Sequence, residues 1–293
     1  MTSTLGRLLY DEPLAKYTSW RVGGPCDCLF IPEHKHDLIA FINQLRSAEP
    51  LFWLGLGSNV LIRDGGIRGT VVNTKNRLKE MYLTEPTVVY VEAGVPCAHV
   101  ARFCGEQGLV GAEFLAGIPG TMGGALAMNA GAFGGETWAI VQTVETLNRQ
   151  GQTQQRSVNE FEISYRMVKG LNGEWFTSAW LTLQPGDTGQ SQQKIKALLE
   201  RRAQTQPTNQ PSCGSVFKNP PGDFAARLIE QTGLKGYVIG GAMVSPKHAN
   251  FIINTGSASA SDIEDLIFYV QQQVKQQQGI VLQTEVCMVG ERG

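Results

Sequence analysis

The sequence predicts a globular protein of mixed helices and strands, divided into two or three subdomains. Three observations carry this. At 293 residues the chain is longer than one hydrophobic core usually supports. Short apolar runs of strand length alternate with windows of helical periodicity. Thirty-four glycines punctuate them, an excess that implies many tight turns or close backbone approach to something bulky.

Taken in order, the first 75 residues read as β-α-β with a further strand. CDCLFIP (26–32) is a short apolar strand, and KHDLIAFINQLRSA (35–48) sets Leu38, Ile39, Phe41, Ile42 and Leu45 on one helical face. LFWLGLGSNVLI (51–62) is strand, glycine turn, strand, and GTVVNT (69–74) is another strand. In the second block VVYVEAG (88–94) is a strand, and PCAHVARFCGEQG (96–108) is a helix opened by proline and closed by glycine. A glycine-dense loop fills 116–135. A hairpin over 141–157 turns at Arg149–Gly151, and EWFTSAWLTLQP (174–185) is a strand. The polar stretch 186–193 reads as a linker to the third block. There a helix (195–204) leads into a proline-rich loop (205–223), followed by helical patterns at 223–232 and 259–277 and closing strands at 280–290. QQQVKQQQ (271–278) keeps Val270 and Val274 at helical spacing, so it is the exposed end of a helix rather than a disordered tract.

Composition excludes some classes. A net charge of −1 argues against gripping nucleic acid by bulk electrostatics, so a bound anion must be met by local donors. No run approaches the roughly 18 apolar residues of a membrane span. The N-terminus lacks an apolar segment bounded by a cleavage site, so the protein is expected to remain in the cytoplasm. Cys26, Cys28, Cys97, Cys104, Cys213 and Cys287 are scattered, as reduced thiols are, and no Cys/His pairs stand at zinc-site spacing; no metal is expected.

Two glycine loops about sixty residues apart draw attention. The first, Gly55-Leu56-Gly57-Ser58-Asn59, ends an apolar strand. The second, Gly117-Ile118-Pro119-Gly120-Thr121-Met122-Gly123-Gly124, turns into a helix. Backbone N–H groups without side chains approach phosphate oxygens closely, and a helix N-terminus adds partial positive charge, so two such loops could hold the two phosphates of a dinucleotide. Two tight turns in a mixed α/β protein explain either loop equally well. Neither is a Walker A sequence or a GxGxxG fingerprint, which argues against the usual NAD-type mode. The loop 212–220, SCGSVFKNP, gathers a hydroxyl, an ammonium and an amide. By residue type alone Ser215 is a turn hydroxyl, and Arg166, beside Tyr165, is a surface charge. Glu285 lies in an apolar strand between Thr284 and Val286, at an edge or held for a purpose.

LGLGSNVLIRDGGIRGTVV, EFLAGIPGTMGGALAMNAGAFGGE, ISYR, SCGSVFKNP, LIEQTGLKG, IGGAMVSPKHANFIIN and a closing TEV occur in this order, from about Tyr17 to Gly290. Together they resemble the UDP-N-acetylenolpyruvoylglucosamine reductase family, in its shorter, type II branch. The resemblance implies an α+β fold. A two-subdomain FAD-binding module of the vanillyl-alcohol-oxidase (PCMH) type would fill 1–75 and 76–190. A smaller α+β substrate-binding domain would follow over 203–285, with 286–293 as a C-terminal strand or tail. It implies non-covalent FAD, NADPH as hydride donor, a UDP-sugar enolpyruvate as substrate, and a monomer. Gly55, Gly57, Ser58 and Asn59 would line the cofactor pyrophosphate from one side; Gly117, Ile118, Pro119, Gly120, Thr121, Gly123 and Gly124 would line it from the other. Ser215 matches the general acid, Arg166 and Glu285 its catalytic partners, and Tyr165, Lys218, Asn219, His248 and Asn250 substrate contacts. Two positions depart from the family pattern: Met122 stands where valine is common, and Gln283 replaces a glutamate.

Two other readings compete. An oxidase on the same module would often attach flavin through histidine, but His34, His36, His99 and His248 all lie outside the glycine loops. A catalytically dead nucleotide-binding regulator would not be expected to keep Arg166, Ser215 and Glu285.

Overall fold

A computed structural model describes residues 6–46 and 48–293. The first residues of the N-terminal stretch considered above, and Ser47 in the 35–48 helical window, lie outside them. The chain forms two compact units. The first contains residues 6–9, Cys28–Leu56 and Gly69–Arg201; the second contains Tyr10–Asp27, Gly57–Arg68 and Arg202–Gly293.

The first unit is built on a five-stranded antiparallel sheet in the order Thr153–Ser157, Val141–Leu147, Trp175–Thr182, Val88–Glu92, Met81–Glu85. Val88–Glu92 is buried at every position, as its β-branched run requires. The hairpin turn closes through Asn148, whose side-chain oxygen accepts the N–H groups of Gln150 and Gln152, both at 2.9 Å. Helix Cys97–Glu106 begins after Pro96 and buries Cys97, Val100, Ala101 and Cys104 along one stripe. It packs with helix Met122–Met128 into a core that includes Val89, Leu115, Leu126, Trp138 and Phe176. A second sheet has the order Arg7–Pro13, Pro25–Ile31, Ile67–Asn73, Leu51–Leu54, the last two strands parallel. Helix Lys35–Ile42 covers it with Leu38 and Ile42, against Phe30, Val72 and Leu78.

The second unit centres on helix Ala260–Gln278. Ser259 and Asp262 form a capping box at its start, and Gly279 (φ 72°) ends it. The Asp64 carboxylate adds two bonds there, accepting from the N–H groups of Ala260 (2.9 Å) and Ser261 (2.8 Å). Val270 and Val274 are buried, so the glutamine-rich segment is the end of this helix, as its spacing implies. The core joins Trp20, Leu61, Phe217, Leu228, Ile252, Ile263 and Leu266. A three-stranded sheet runs Val238–Ile239, Ala242–Val244, Ile252–Asn254, and Val60–Ile62 pairs in parallel with Cys287–Val289.

Three sequence expectations need correction. The polar stretch 186–193 is not a linker, because helix Thr188–Thr205 runs through most of it. Asp187 caps that helix by accepting the Gln190 N–H at 2.7 Å, and over 188–193 Ser191 is the buried residue, too little to leave a periodic trace ahead of the expected helix 195–204. The helix expected over 35–48 ends at Ile42, although Leu45 still packs on the same core. The closing strands reduce to Cys287–Val289 plus a single bridge between Thr284 and Phe217. Cys97, Cys104, Cys213 and Cys287 are free thiols, and Cys26, Cys97, Cys104 and Cys213 are buried.

Candidate active site

Within the first unit the fold brings Gly55 against the second glycine loop. Gly55 follows strand Leu51–Leu54, and a Cβ there would collide with the Thr121 hydroxyl. The Asn73 side chain holds this turn by donating to the Gly55 carbonyl at 3.1 Å. Several of these glycines answer to protein neighbours rather than to a ligand. A Cβ on Gly57 (φ 67°) would strike the Tyr17 carbonyl, one on Gly117 the Phe133 ring, and one on Gly123 the Ala93 Cβ at 2.9 Å. The Met122 and Gly123 N–H groups donate to the Val95 and Ala93 carbonyls, which seats the helix start. Gly124 differs. It is exposed, and a Cβ there would meet only the Thr121 hydroxyl, at 4.0 Å. The outer face of this loop, with exposed Pro119 beside half-buried Gly120, is open to a bulky group.

In the second unit the Ser215 loop is bonded on both sides. On one side the Val216 carbonyl accepts the Glu285 N–H (2.8 Å) and the Lys218 N–H donates to the Gln283 carbonyl (2.9 Å), so Ser215 and Glu285 lie on paired segments. On the other side stands Asn250, 3% exposed. Its side chain accepts the Phe217 N–H (2.9 Å) and donates to the Phe217 carbonyl (2.8 Å), while its own carbonyl accepts the Val216 N–H. Asn250 thus acts as a neighbouring strand would. Asn59 is tied to the same region: its amide donates to the Glu285 carbonyl at 3.1 Å, and its carbonyl accepts the Cys287 N–H. Ser58 is half-buried beside it. Asn219 is exposed and accepts the Ala225 N–H at the start of helix Ala225–Gln231. His248 packs edge-on against Phe251. Its Nδ1 is buried without a hydrogen-bond partner among the described residues, and burial holds its pKa below the ordinary value.

In the first unit Tyr165 and Arg166 form the two-residue turn between strands Glu162–Ser164 and Met167–Lys169. Arg166 has φ 54°, an uncommon conformation for a residue with a Cβ. Its guanidinium donates to the carbonyls of Asn129 (3.3 Å) and Gly131 (3.0 Å) and lies 5.1 Å from the Tyr165 ring centroid. Sequence reasoning does not single out Asn129. An asparagine ending a short helix just before a glycine-rich turn is the available signal, since asparagine tolerates the left-handed conformation found there.

Comparison with known proteins agrees with these motifs. A family model described as FAD binding domain matches residues 26–157, and one described as UDP-N-acetylenolpyruvoylglucosamine reductase, C-terminal domain, matches residues 206–289. The protein of that name from Methylococcus capsulatus is 63% identical, over 98% of this chain and 94% of the relative. Its counterpart from Coxiella burnetii strain Dugway is 53% identical over 99% and 98%. The crystal structure of the Thermus caldophilus reductase superposes with a TM-score of 0.83 at 30% identity, over 97% of this chain and 99% of that one. The chain therefore belongs to the UDP-N-acetylenolpyruvoylglucosamine reductase family, with an α+β fold that includes a FAD-binding module.

Proposed function

We propose that Ser215, Arg166 and Glu285 carry the chemistry of this flavin-dependent oxidoreductase. The reaction is the family's: reduction of UDP-N-acetyl-3-O-(1-carboxyvinyl)-glucosamine to UDP-N-acetylmuramate in peptidoglycan precursor synthesis. The residues fit FAD, since the open side of Gly124 leaves room that a side chain would fill. The loops 55–59 and 117–124 would hold it, and bound FAD supplies to the enol ether the hydride that NADPH provides.

Adding hydride to the methylene carbon leaves negative charge on the neighbouring carbon and its carboxylate. Arg166 would stabilise that charge through its fixed cation, with Glu285 assisting. Ser215 would deliver the proton to the carbon and fix the stereochemistry of the lactyl product. A serine is a weak acid, so its proton must be relayed back, and Lys218, three residues on in sequence, is the candidate for lowering that cost electrostatically. The observation that carries this reading is the Val216–Glu285 backbone bond, which holds the segments of Ser215 and Glu285 in fixed register. Tyr165, Lys218, Asn219 and His248 are the proposed substrate contacts, and the segment 203–285 the substrate-binding domain. We infer a monomeric cytoplasmic enzyme; among the described residues no helix is long and apolar enough to cross a membrane.

Stopped-flow absorbance of the flavin tests the role of Ser215. A general acid contributes about 10²–10⁴-fold. Ser215→Ala should slow flavin reoxidation by the enolpyruvyl substrate by that factor and leave flavin reduction by NADPH nearly unchanged, and Ser215→Cys should recover part of the loss. Equal slowing of both half-reactions would reassign Ser215 to positioning.

A further inference from the structure

We propose that Asn129 is a positioning residue that sets the guanidinium of Arg166; this rests on the charge-stabilising role given to Arg166 above. Asn129 is 1% exposed, 37 residues from Arg166 in sequence, and ends helix Met122–Met128 in the left-handed conformation (φ 41°). Every polar arm of its side chain is engaged. Its amide nitrogen donates to Glu136 Oε2 (3.0 Å) and to the carbonyl of Ser164 (3.2 Å), and its oxygen accepts the Trp138 N–H (3.2 Å). The Ser164 bond reaches the strand residue two positions before Arg166, so Asn129 fixes the base of the turn that carries the arginine. Its own carbonyl then receives the arginine's Nη1. One residue thus grips the Arg166 turn by its backbone and its guanidinium by one N–H.

The second guanidinium contact, to the Gly131 carbonyl, depends on the same hairpin. A Cβ on Gly131 would lie 2.6 Å from the Gly135 carbonyl and 3.3 Å from Arg166 Nη1, so the backbone there is packed directly against the cation. Glu136, paired with Gly131 across the hairpin, supplies the carboxylate that holds Asn129. The backbone of Arg166 supports a functional reading. A non-glycine residue with positive φ is strained, and such strain persists only where the surroundings over-determine it. Glycine or asparagine would suit the turn better, so the arginine is held for its head group, and Asn129 takes part in holding it. Neither aspartate nor leucine meets the demand at position 129: aspartate would face the Glu136 carboxylate and the Ser164 carbonyl without a donor, and leucine would make none of the three side-chain bonds.

The test is a mutant cycle on the purified flavoenzyme, with the two half-reactions followed separately by stopped flow. Misplacing a charged group by about 1 Å costs up to about 100-fold, so Asn129→Ala should slow flavin reoxidation by the enolpyruvyl substrate by about 10- to 100-fold. Flavin content and reduction by NADPH should stay within about twofold of the parent. In an Arg166→Ala background Asn129→Ala should add almost nothing, because the group it positions is gone. Equal factors in both backgrounds, or no slowing in a folded, flavin-loaded Asn129→Ala enzyme, would overturn the proposal while leaving the role of Arg166 intact. Full activity of Arg166→Ala alone would instead remove the reading on which the proposal rests. If Asn129→Ala fails to fold, Glu136→Ala, which loosens the asparagine from outside, is taken through the same cycle and decides by the same outcomes.

Discussion

Removing the side chain of Asn250 should damage the Ser215 loop from behind, and the size of the effect follows from the bonds it makes. Phe217 is 1% exposed, and its N–H and carbonyl point away from the Gln283–Glu285 segment towards the Asn250 amide. Asn250→Ala leaves both groups buried without their partner. Each unpaired buried group costs about 1–3 kcal/mol, so the total is about 2–5 kcal/mol after partial relief by entering water. At roughly 2 °C per kcal/mol for a chain of this length, the melting temperature should fall by about 4–10 °C. Asn250→Asp should do no better at neutral pH: one carboxylate oxygen still accepts the Phe217 N–H, but the other meets the Phe217 carbonyl with no hydrogen between them. The assay is thermal unfolding of the flavin-loaded protein beside steady-state kinetics. The clamp predicts lower stability and lower kcat. An unchanged melting temperature with a raised KM would refute the reasoning and return Asn250 to the role of a substrate contact.

Two further outcomes are expected. Gly124→Val should fold but lose most of its flavin, since Gly124 has open space on its Cβ side; Gly57→Ala should lower stability instead, because its Cβ meets the Tyr17 carbonyl. Flavin absorbance per mole of protein, measured beside the melting temperature, separates the two, and full flavin in Gly124→Val would contradict the open-face argument. Glu264 is 3% exposed and accepts hydrogen bonds from Arg63 and Arg292, and the Arg63 bond leads in holding its pKa below the ordinary 4.5. A carboxylate depressed in the folded state stabilises above its unfolded pKa, and that contribution is lost as pH falls through the folded value. The melting temperature should therefore drop below about pH 4.5, and Glu264→Gln should flatten that part of the profile; parallel profiles would exclude Glu264 as a source of acid sensitivity.

What could be read from the sequence was what depends on neighbours in sequence. The buried strand Val88–Glu92, the helix opened by Pro96 and the hairpin turn at Asn148–Gly151 all carry their signals locally. Strand Arg7–Pro13 was missed because, mostly exposed, it shows no apolar alternation. The two- and three-residue strands of 238–254 are too short to show a period. The first turns of helix Thr188–Thr205, before the stretch 195–204 that reads as helical, bury so little that only the Asp187 cap could have announced them. The same division runs through the candidate site. The glycine loops stand out as motifs, but the reason for Gly55, Gly57, Gly117 and Gly123 lies in Thr121, Tyr17, Phe133 and Ala93, which only the fold brings near. Asn129 and Asn250 look like any asparagine until Ser164 and Phe217, 35 and 33 residues away, are folded against them.

The second unit is stitched from three stretches of chain, and this dictates when it can form. Trp20 donates its indole N–H to the Ile252 carbonyl across 232 residues, and strand Cys287–Val289 has its partner in Val60–Ile62. During synthesis the early stretches must therefore wait, with Trp20, Val22 and Leu61 uncovered, until residues 202–289 have been made. Non-local pairing of this kind slows folding and exposes apolar surface in the interval. A C-terminal fragment cut at 202 would lack both the tryptophan and the partner strand. Overproduction of this protein should accordingly benefit from slow synthesis at low temperature, and attempts to isolate the Ser215-bearing unit should carry residues 10–27 and 57–68 along with it.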